Sequence, residues 1–293
     1  MEEVTVRPED YSGSVRPTWC PGCGNYAIMA ALKAALAELG IPPHRTVLVS
    51  GIGCGSRMPY FMRANGLHTL HGRPIAVAMG VKLVRPDLNV IVVAGDGDTY
   101  GIGVSHFIHA FRLNVGITIL VQNNGVFGLT RGQPSPTAPR GFRGAIYRQM
   151  NPLLQALASG AKFVARAWTG DPRRLREVVK EAIRHAYIRR MGTAYVDIVQ
   201  LCVTYYPRRD DEPFTEYYRR RVYYVDDDPS YDQTDFKAAV EAAAAEGEKI
   251  PMGVIYHVDD EAGFEESYGG FGRPPALQDI TSVDIGYMLE RLR

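Results

Sequence analysis

The sequence predicts an α/β protein: a parallel sheet with helices on both faces and a C-terminal extension. Three observations predict it. Residues 90–94, Val-Ile-Val-Val-Ala, form an apolar, β-branched run that ends in Gly95-Asp96-Gly97, as a buried strand entering a tight turn would. Residues 101–113 then have helical spacing, and a second apolar run, 117–121, ends in Gln122-Asn123-Asn124-Gly125. In a parallel sheet both strand ends open on one edge, where α/β proteins bind ligands.

Composition narrows the classes. The chain has 293 residues and is 46% hydrophobic, enough for one large or two small packed domains. Its net charge of +1 leaves no electrostatic footprint for nucleic acid or an anionic membrane. No run approaches the roughly 18 apolar residues of a membrane span. The N-terminal MEEVTVRPED is acidic and polar, unlike a signal peptide, so a cytoplasmic chain is expected. Four cysteines, Cys20, Cys23, Cys54 and Cys202, are few for disulfide stapling and point to metal or redox chemistry.

In chain order, residues 1–19 read as extended. Cys20-Pro21-Gly22-Cys23 follows, a turn that points two sulfurs inward for a metal. Asn25 is placed to cap a helix over 28–39, which Gly40 and Pro42 close. Residues 46–50 read as a strand entering Gly51-Ile52-Gly53-Cys54-Gly55-Ser56-Arg57. Cys54 alone would be a small buried hydrophobe; with Cys20 and Cys23 it becomes a ligand candidate. His71 and Arg73 precede a helix over 75–84 and could face a phosphate or a pyrimidine ring, or cap the helix. His106 and His109 lie on the crossover helix and read as packing groups.

Residues 125–136, GVFGLTRGQPSP, form a long loop, and loop character continues to 150. Such loops are usually functional or disordered, and the glycines, Phe127 and Arg131 favour function. A helix over 151–159 and a strand over 163–167 follow. An amphipathic helix then runs from Pro172 to about residue 189, with proline in its first turn. A strand over 194–203, with Cys202 at its end, completes a main domain of 1–204. Segment 205–235 interleaves tyrosines with balanced charge and reads as a solvated or partner-contacting arm rather than a nucleic-acid surface. A helix over 236–246 and a short Pro/Gly-rich tail close the extension, 205–293, packed on the same domain or on a partner subunit.

The Gly-Asp-Gly and Asn-Asn ends carry specific chemistry. Positions 98 to 122, 25 residues, separate Gly97 from Asn123, room for one helix and one strand, so Asp96 and Asn124 can meet on one ion. Magnesium takes few protein oxygens and completes its shell with phosphates and water, while a glycine turn and helix N-terminus suit phosphates. This spacing resembles the thiamine-diphosphate motif.

With GIGCGSR, LHGR and GLTRGQPSPT, that unit and the four cysteines make the chain resemble the β subunit of the 2-oxoacid:ferredoxin oxidoreductases, over roughly residues 16–205. The resemblance implies the parallel-sheet thiamine-diphosphate-binding fold, with thiamine diphosphate, Mg2+ and one [4Fe-4S] cluster as cofactors. It implies an α subunit, or α with γ, as partner. The implied reaction oxidises a 2-oxoacid such as pyruvate or 2-oxoglutarate with CoA to acyl-CoA and CO2, and ferredoxin collects the electrons. By the same resemblance Cys20, Cys23, Cys54 and Cys202 ligate the cluster, and Asp96, Asn124 and the Val126 carbonyl ligate magnesium. Ile52, Gly53, Cys54, Gly55, His71, Gly97, Asp98, Gly128 and Leu129 then contact the cofactor, and Cys54 brings the cluster near the thiazolium. Two positions depart from the pattern: Arg131 stands where Lys is more familiar, and Gly55 where Ser or a similar small residue is common. Arg57 and Arg131 are the candidate catalytic residues, holding the 2-oxoacid carboxylate or the diphosphate, because arginine binds such groups bidentately.

Two other classes fit parts of the pattern: a non-oxidative thiamine-diphosphate decarboxylase or synthase with structural cysteines, and a non-enzymatic module with zinc on the four cysteines. One expected group is missing. Thiamine enzymes generally need a buried glutamate at the aminopyrimidine ring. Glu2, Glu3, Glu9 and Glu38, the glutamates before Gly95, all lie in polar contexts, as do later ones such as Glu177, Glu181 and Glu212. The catalytic glutamate is therefore expected from another subunit.

Overall fold

The apolar runs become adjacent strands of one eight-stranded sheet in a computed structural model that describes residues 5–245, 249–267, 274–279 and 285–291. The strands are β1 (Thr46–Ser50), β2 (Asn65–His68), β3 (Asn89–Gly95), β4 (Thr118–Asn123), β5 (Phe163–Trp168), β6 (Ala194–Val199), β7 (Val222–Tyr224) and β8 (Ile250–His257). The helices are α1 (Asn25–Glu38), α2 (Pro74–Val84), α3 (Val104–Leu113), α4 (Pro152–Ala158), α5 (Pro172–Ile183), α6 (Phe214–Arg221) and α7 (Phe236–Ala244), followed by two short ones, Phe264–Ser267 and Ile285–Glu290. The spatial order is β7-β8-β5-β6-β4-β3-β1-β2. Every pairing is parallel except β8 with β5.

Alternation along the strands sorts the core into two layers. Leu48, Ile91, Val93 and Leu120 pack with α1 and α5 on one face. Val47, Val49, Val90, Val92 and Ile119 pack with α2, α3, α4 and α7 on the other. Central strands buried on both faces are why the runs are continuously apolar rather than alternating. Asn151 and Asp171 cap α4 and α5 through their side-chain oxygens, each with proline in the first turn.

The structure departs from the expectations in several places. The Pro/Gly-rich tail contains β8, a strand inside the sheet. Pro251 and Gly253 disguise it, and its register shifts between Val254 and Tyr256. The exposed edge strand β2 was not expected either. Asn25 is the first residue of α1 rather than its cap; its buried amide has neither atom partnered. The helix over 101–113 is a π-helical turn, Gly97–Ile102, followed by α3, and the one from Pro172 ends at Ile183 in a second π-helical turn, Arg184–Ile188. His109 is exposed rather than packed. The tyrosine-rich segment is no solvated arm. Tyr206, Phe214, Tyr217 and Tyr218 bury against Trp168, Val199 and Met252 as a third core. Among the described residues no helix is long and apolar enough to cross a membrane.

Candidate functional site

The carboxyl ends of β1, β3, β4 and β6 open on one edge, and each runs into a loop that the sequence marked. A cavity of about 180 Å³ lies there. Ile52, Gly53, Cys54, Gly55, His71, Asp96, Gly97, Asp98, Asn124, Val126, Gly128 and Leu129 all line it. Gln122, Phe127, Thr130 and Gln200 also line it. Phe127 and Thr130 belong to the loop already marked for function, whereas Gln122 and Gln200 lie at strand ends, where only the strand register turns them inward. Arg57 and Arg131 are not among the lining residues. The Arg57 guanidinium lies 5.6 Å from the centre of the Phe61 ring, and Arg131 is exposed with a left-handed φ of 77°. Arg73 also points elsewhere, to the His106 ring.

Asp96 is buried at the end of β3. Its Oδ2 accepts the Gly125 amide at 3.0 Å, the Thr137 hydroxyl at 2.8 Å and the Ser135 hydroxyl. Desolvation raises its pKa, and those donors only partly offset the shift. Among the described residues no cationic side chain pairs with it. Gly125 reaches Asp96 from a positive φ of 74°, a conformation glycine adopts without strain. Asn124 folds its side chain back so that Oδ1 accepts the Val126 amide at 3.0 Å.

Asp98 organises the other wall. Its Oδ1 accepts the Gly72 amide at 2.7 Å and the Ile52 amide at 3.2 Å, and pairs with His71 Nδ1 at 2.5 Å. The carboxylate thereby ties the β1 loop to the His71 turn.

The lining fits a polar ligand. Asp98 Oδ2, both amide atoms of Gln122 and Gln200 Oε1 are buried without a protein partner, and such orphans call for water, an ion or a ligand. A Cβ on Gly51 would overlap the Asp98 carboxylate, and one on Gly55 the Gln122 amide. Glycine at 55 leaves the Gln122 amide its place at the wall. The donor set around Asp96 and Asn124 is oxygen only, as magnesium requires.

The four cysteines gather beside this cavity, and none forms a disulfide. Trp19 Nε1 donates to the Cys54 carbonyl at 2.6 Å, and the Gly24 amide to the Leu201 carbonyl at 3.4 Å. These bonds bring the Cys20–Cys23 turn against the loops of Cys54 and Cys202. A Cβ built on Gly128 would lie 3.5 Å from Cys54 Sγ and 4.0 Å from Cys202 Sγ. Burial, reinforced by the neighbouring thiols, pushes Cys23 up to about 11 and Cys54 upward. Metal ligation removes such protons outright. No three of these sulfurs lie mutually within 4.8 Å. Four thiolates on one zinc, each at about 2.3 Å, would sit about 3.8 Å apart.

No described glutamate lines the cavity. Glu38 pairs with Arg176 and Lys180 on the surface. Glu265 is buried, contrary to the polar pattern expected of the later glutamates. It accepts the Gly116 amide and lies 3.8 Å from Lys82, at the opposite end of β4 from the cavity.

Comparison with known proteins agrees with this geometry. Residues 44–198 match the family model described as thiamine pyrophosphate enzyme, C-terminal TPP binding domain. Residues 202–272 match the one described as the C terminal of the pyruvate ferredoxin oxidoreductase beta subunit. The chain is 43% identical to the β subunit of 2-oxoacid:ferredoxin oxidoreductase 1 of Aeropyrum pernix, over 94% of this chain and 90% of that one. It is 43% identical to the 2-oxoacid:ferredoxin oxidoreductase β subunit of Saccharolobus solfataricus, over 85% and 84%. A solved 2-oxoglutarate:ferredoxin oxidoreductase from Magnetococcus marinus, with 2-oxoglutarate, coenzyme A and succinyl-CoA bound, superposes with a TM-score of 0.87 at 36% identity, covering 100% of this chain and 98% of that one. Fold, cavity and relatives converge: the chain belongs to the β subunits of the 2-oxoacid:ferredoxin oxidoreductases.

Proposed function

We propose that this subunit holds thiamine diphosphate through Mg2+ in the cavity and carries one [4Fe-4S] cluster on Cys20, Cys23, Cys54 and Cys202. Electrons from the CoA-dependent oxidative decarboxylation of a 2-oxoacid, pyruvate, 2-oxoglutarate or a similar one, then leave for ferredoxin in the cytoplasm. The observation that carries the reading is Cys54, which lines the cavity and also approaches Cys202 across Gly128. One residue thus borders both the site of chemistry and the site of electron removal.

When bound, thiamine diphosphate supplies the electron sink for decarboxylation, and the cluster takes electrons singly. The chain's part is to bind and orient. Asp96 gives Mg2+ a charged oxygen, and Asn124 and the Val126 carbonyl give neutral ones. Asp98 fixes His71 and the Ile52 amide at the wall. Gly53, Gly55, Gly97 and Gly128 let backbone close on the cofactor. Arg57 and Arg131, outside the cavity lining, are proposed to reach the 2-oxoacid carboxylate or the diphosphate.

The proton-relaying glutamate comes from the α subunit, separate or fused with γ. Ile52 and Leu129 in the lining and Leu70 next to His71 are exposed apolar side chains, the kind of surface a partner covers. Residues 205–293 are assigned as an extension of the 1–204 domain, packed on it through β8.

The anaerobically purified α/β complex, assayed with pyruvate, 2-oxoglutarate and branched-chain 2-oxoacids, should reduce ferredoxin with at least one of them, and only with CoA present. Release of CO2 without CoA or an electron acceptor would instead make it a non-oxidative decarboxylase.

A further inference from the structure

Asn123, which ends β4, and Asn124, which follows it, face different groups. Asn124 lines the cofactor cavity. Asn123 donates from Nδ2 to Asp197 Oδ1 at 3.0 Å, on the neighbouring strand β6. Asp197 is fully buried and held from two more sides, by Arg166 Nε on Oδ2 at 2.9 Å and by the Tyr100 hydroxyl on Oδ1 at 3.0 Å. The Asn123 amide is therefore pinned at its nitrogen end, and Oδ1 points the other way. There it meets the buried Thr137 hydroxyl at 2.7 Å, which also lies 2.8 Å from Asp96 Oδ2, one hydrogen shared between two acceptors. A continuous chain thus runs Arg166–Asp197–Asn123–Thr137–Asp96.

The residue types suit this task. An amide offers a donor to one carboxylate and an acceptor to a hydroxyl from the same side chain; an aspartate at 123 would oppose Asp197. At the far end, Oδ2 of Asp96 takes three donors, from Gly125, Ser135 and Thr137. Those three donors converge on one carboxylate oxygen and so fix how the other, Oδ1, is turned.

We infer that Asn123 and Thr137, anchored on Asp197, are positioning residues that hold the Asp96 carboxylate in the orientation that binds Mg2+. The inference rests on the reading of Asp96 as a magnesium ligand. It gives the first asparagine of the pair a role distinct from the second.

The test uses the intact α/β complex stripped of cofactor, with thiamine diphosphate binding followed calorimetrically as Mg2+ is varied. Loss of one hydrogen bond to a charged group predicts that Thr137→Val raises the Mg2+ midpoint about tenfold. Excess Mg2+ should restore full binding, and the iron content and melting temperature of the stripped complex should stay near wild type. Thr137→Ser keeps the hydroxyl and should return the midpoint to wild type. Asn123→Ala should raise it in the same direction, and carries the test if the valine variant does not fold. A wild-type midpoint in Thr137→Val or Asn123→Ala, or a serine variant no better than valine, overturns the inference. Asp96→Asn separates the two readings. If it leaves the midpoint unmoved, the magnesium assignment itself fails. If it moves the midpoint and Thr137→Val does not, only the positioning role fails.

Discussion

A Cβ on Gly97 would overlap ring atoms of Phe127, the aromatic wall of the cofactor cavity. The backbone at Gly97 comes up against that ring, so the glycine sets the cavity's width as well as its turn. Gly97→Ala must push the ring into the cavity or bend the turn. It should cost about 1–3 kcal/mol, as overpacking does, and weaken thiamine diphosphate binding. Urea unfolding and calorimetry report the two effects. Wild-type stability and affinity together would show that the contact carries no weight.

The cysteine geometry predicts metal content. Anaerobically purified protein should be brown and hold about four irons. Cys202→Ala should lose or destabilise the cluster while far-ultraviolet circular dichroism stays unchanged. Full iron in that variant would remove Cys202 from the ligand set, and a colourless zinc protein would replace the cluster reading altogether.

Acid sensitivity follows from His185, at the other end of the sheet. It is fully buried beside Phe163, with Nδ1 at 3.0 Å from Asp259 Oδ1. Burial, with His257 nearby, lowers its pKa from 6.5 to about 4. The unfolded chain therefore binds this proton first as pH falls, so stability is fully present above the unfolded pKa and is lost on acidification toward the folded one. The loss runs at about 1.4 kcal/mol per pH unit in that window. From pH 7 to 5 wild type should lose about 2 kcal/mol more than His185→Gln in urea unfolding. Equal losses would mean that His185 titrates normally.

The magnesium assignment has a direct consequence. Asp96→Ala removes the one charged oxygen of the proposed donor set, and magnesium-dependent thiamine diphosphate binding should vanish. Calorimetry showing unchanged affinity would move the metal elsewhere.

The central β-α-β unit and its cavity were legible because their residues announce themselves locally. A β-branched run entering Gly-Asp-Gly, and another ending in Asn-Asn, state both strand and chemistry. What stayed hidden depends on contacts distant in sequence. β8 carries Pro251 and Gly253, tolerated beside a register shift, so its pattern looked like a tail. The tyrosines of 205–235 read as a surface arm because charge alternates with them, yet Tyr206, Tyr217 and Tyr218 bury in one cluster with Trp168. Gln122 and Gln200 enter the cavity through strand register alone. Thr137 ends the GLTRGQPSPT stretch, but nothing local shows what its hydroxyl meets, because its contact with Asp96 spans 41 positions.

The central claim is that this chain supplies the cofactor cradle and the cluster but an incomplete active site, because no described glutamate lines the cavity. Decarboxylation of pyruvate and 2-oxoglutarate should be measured with the purified, cluster-loaded chain, with thiamine diphosphate and Mg2+, before and after adding the α subunit. The chain alone should release no CO2 above background, and the partner should restore turnover. Substantial decarboxylation by the chain alone, in protein shown free of the partner, would contradict the account.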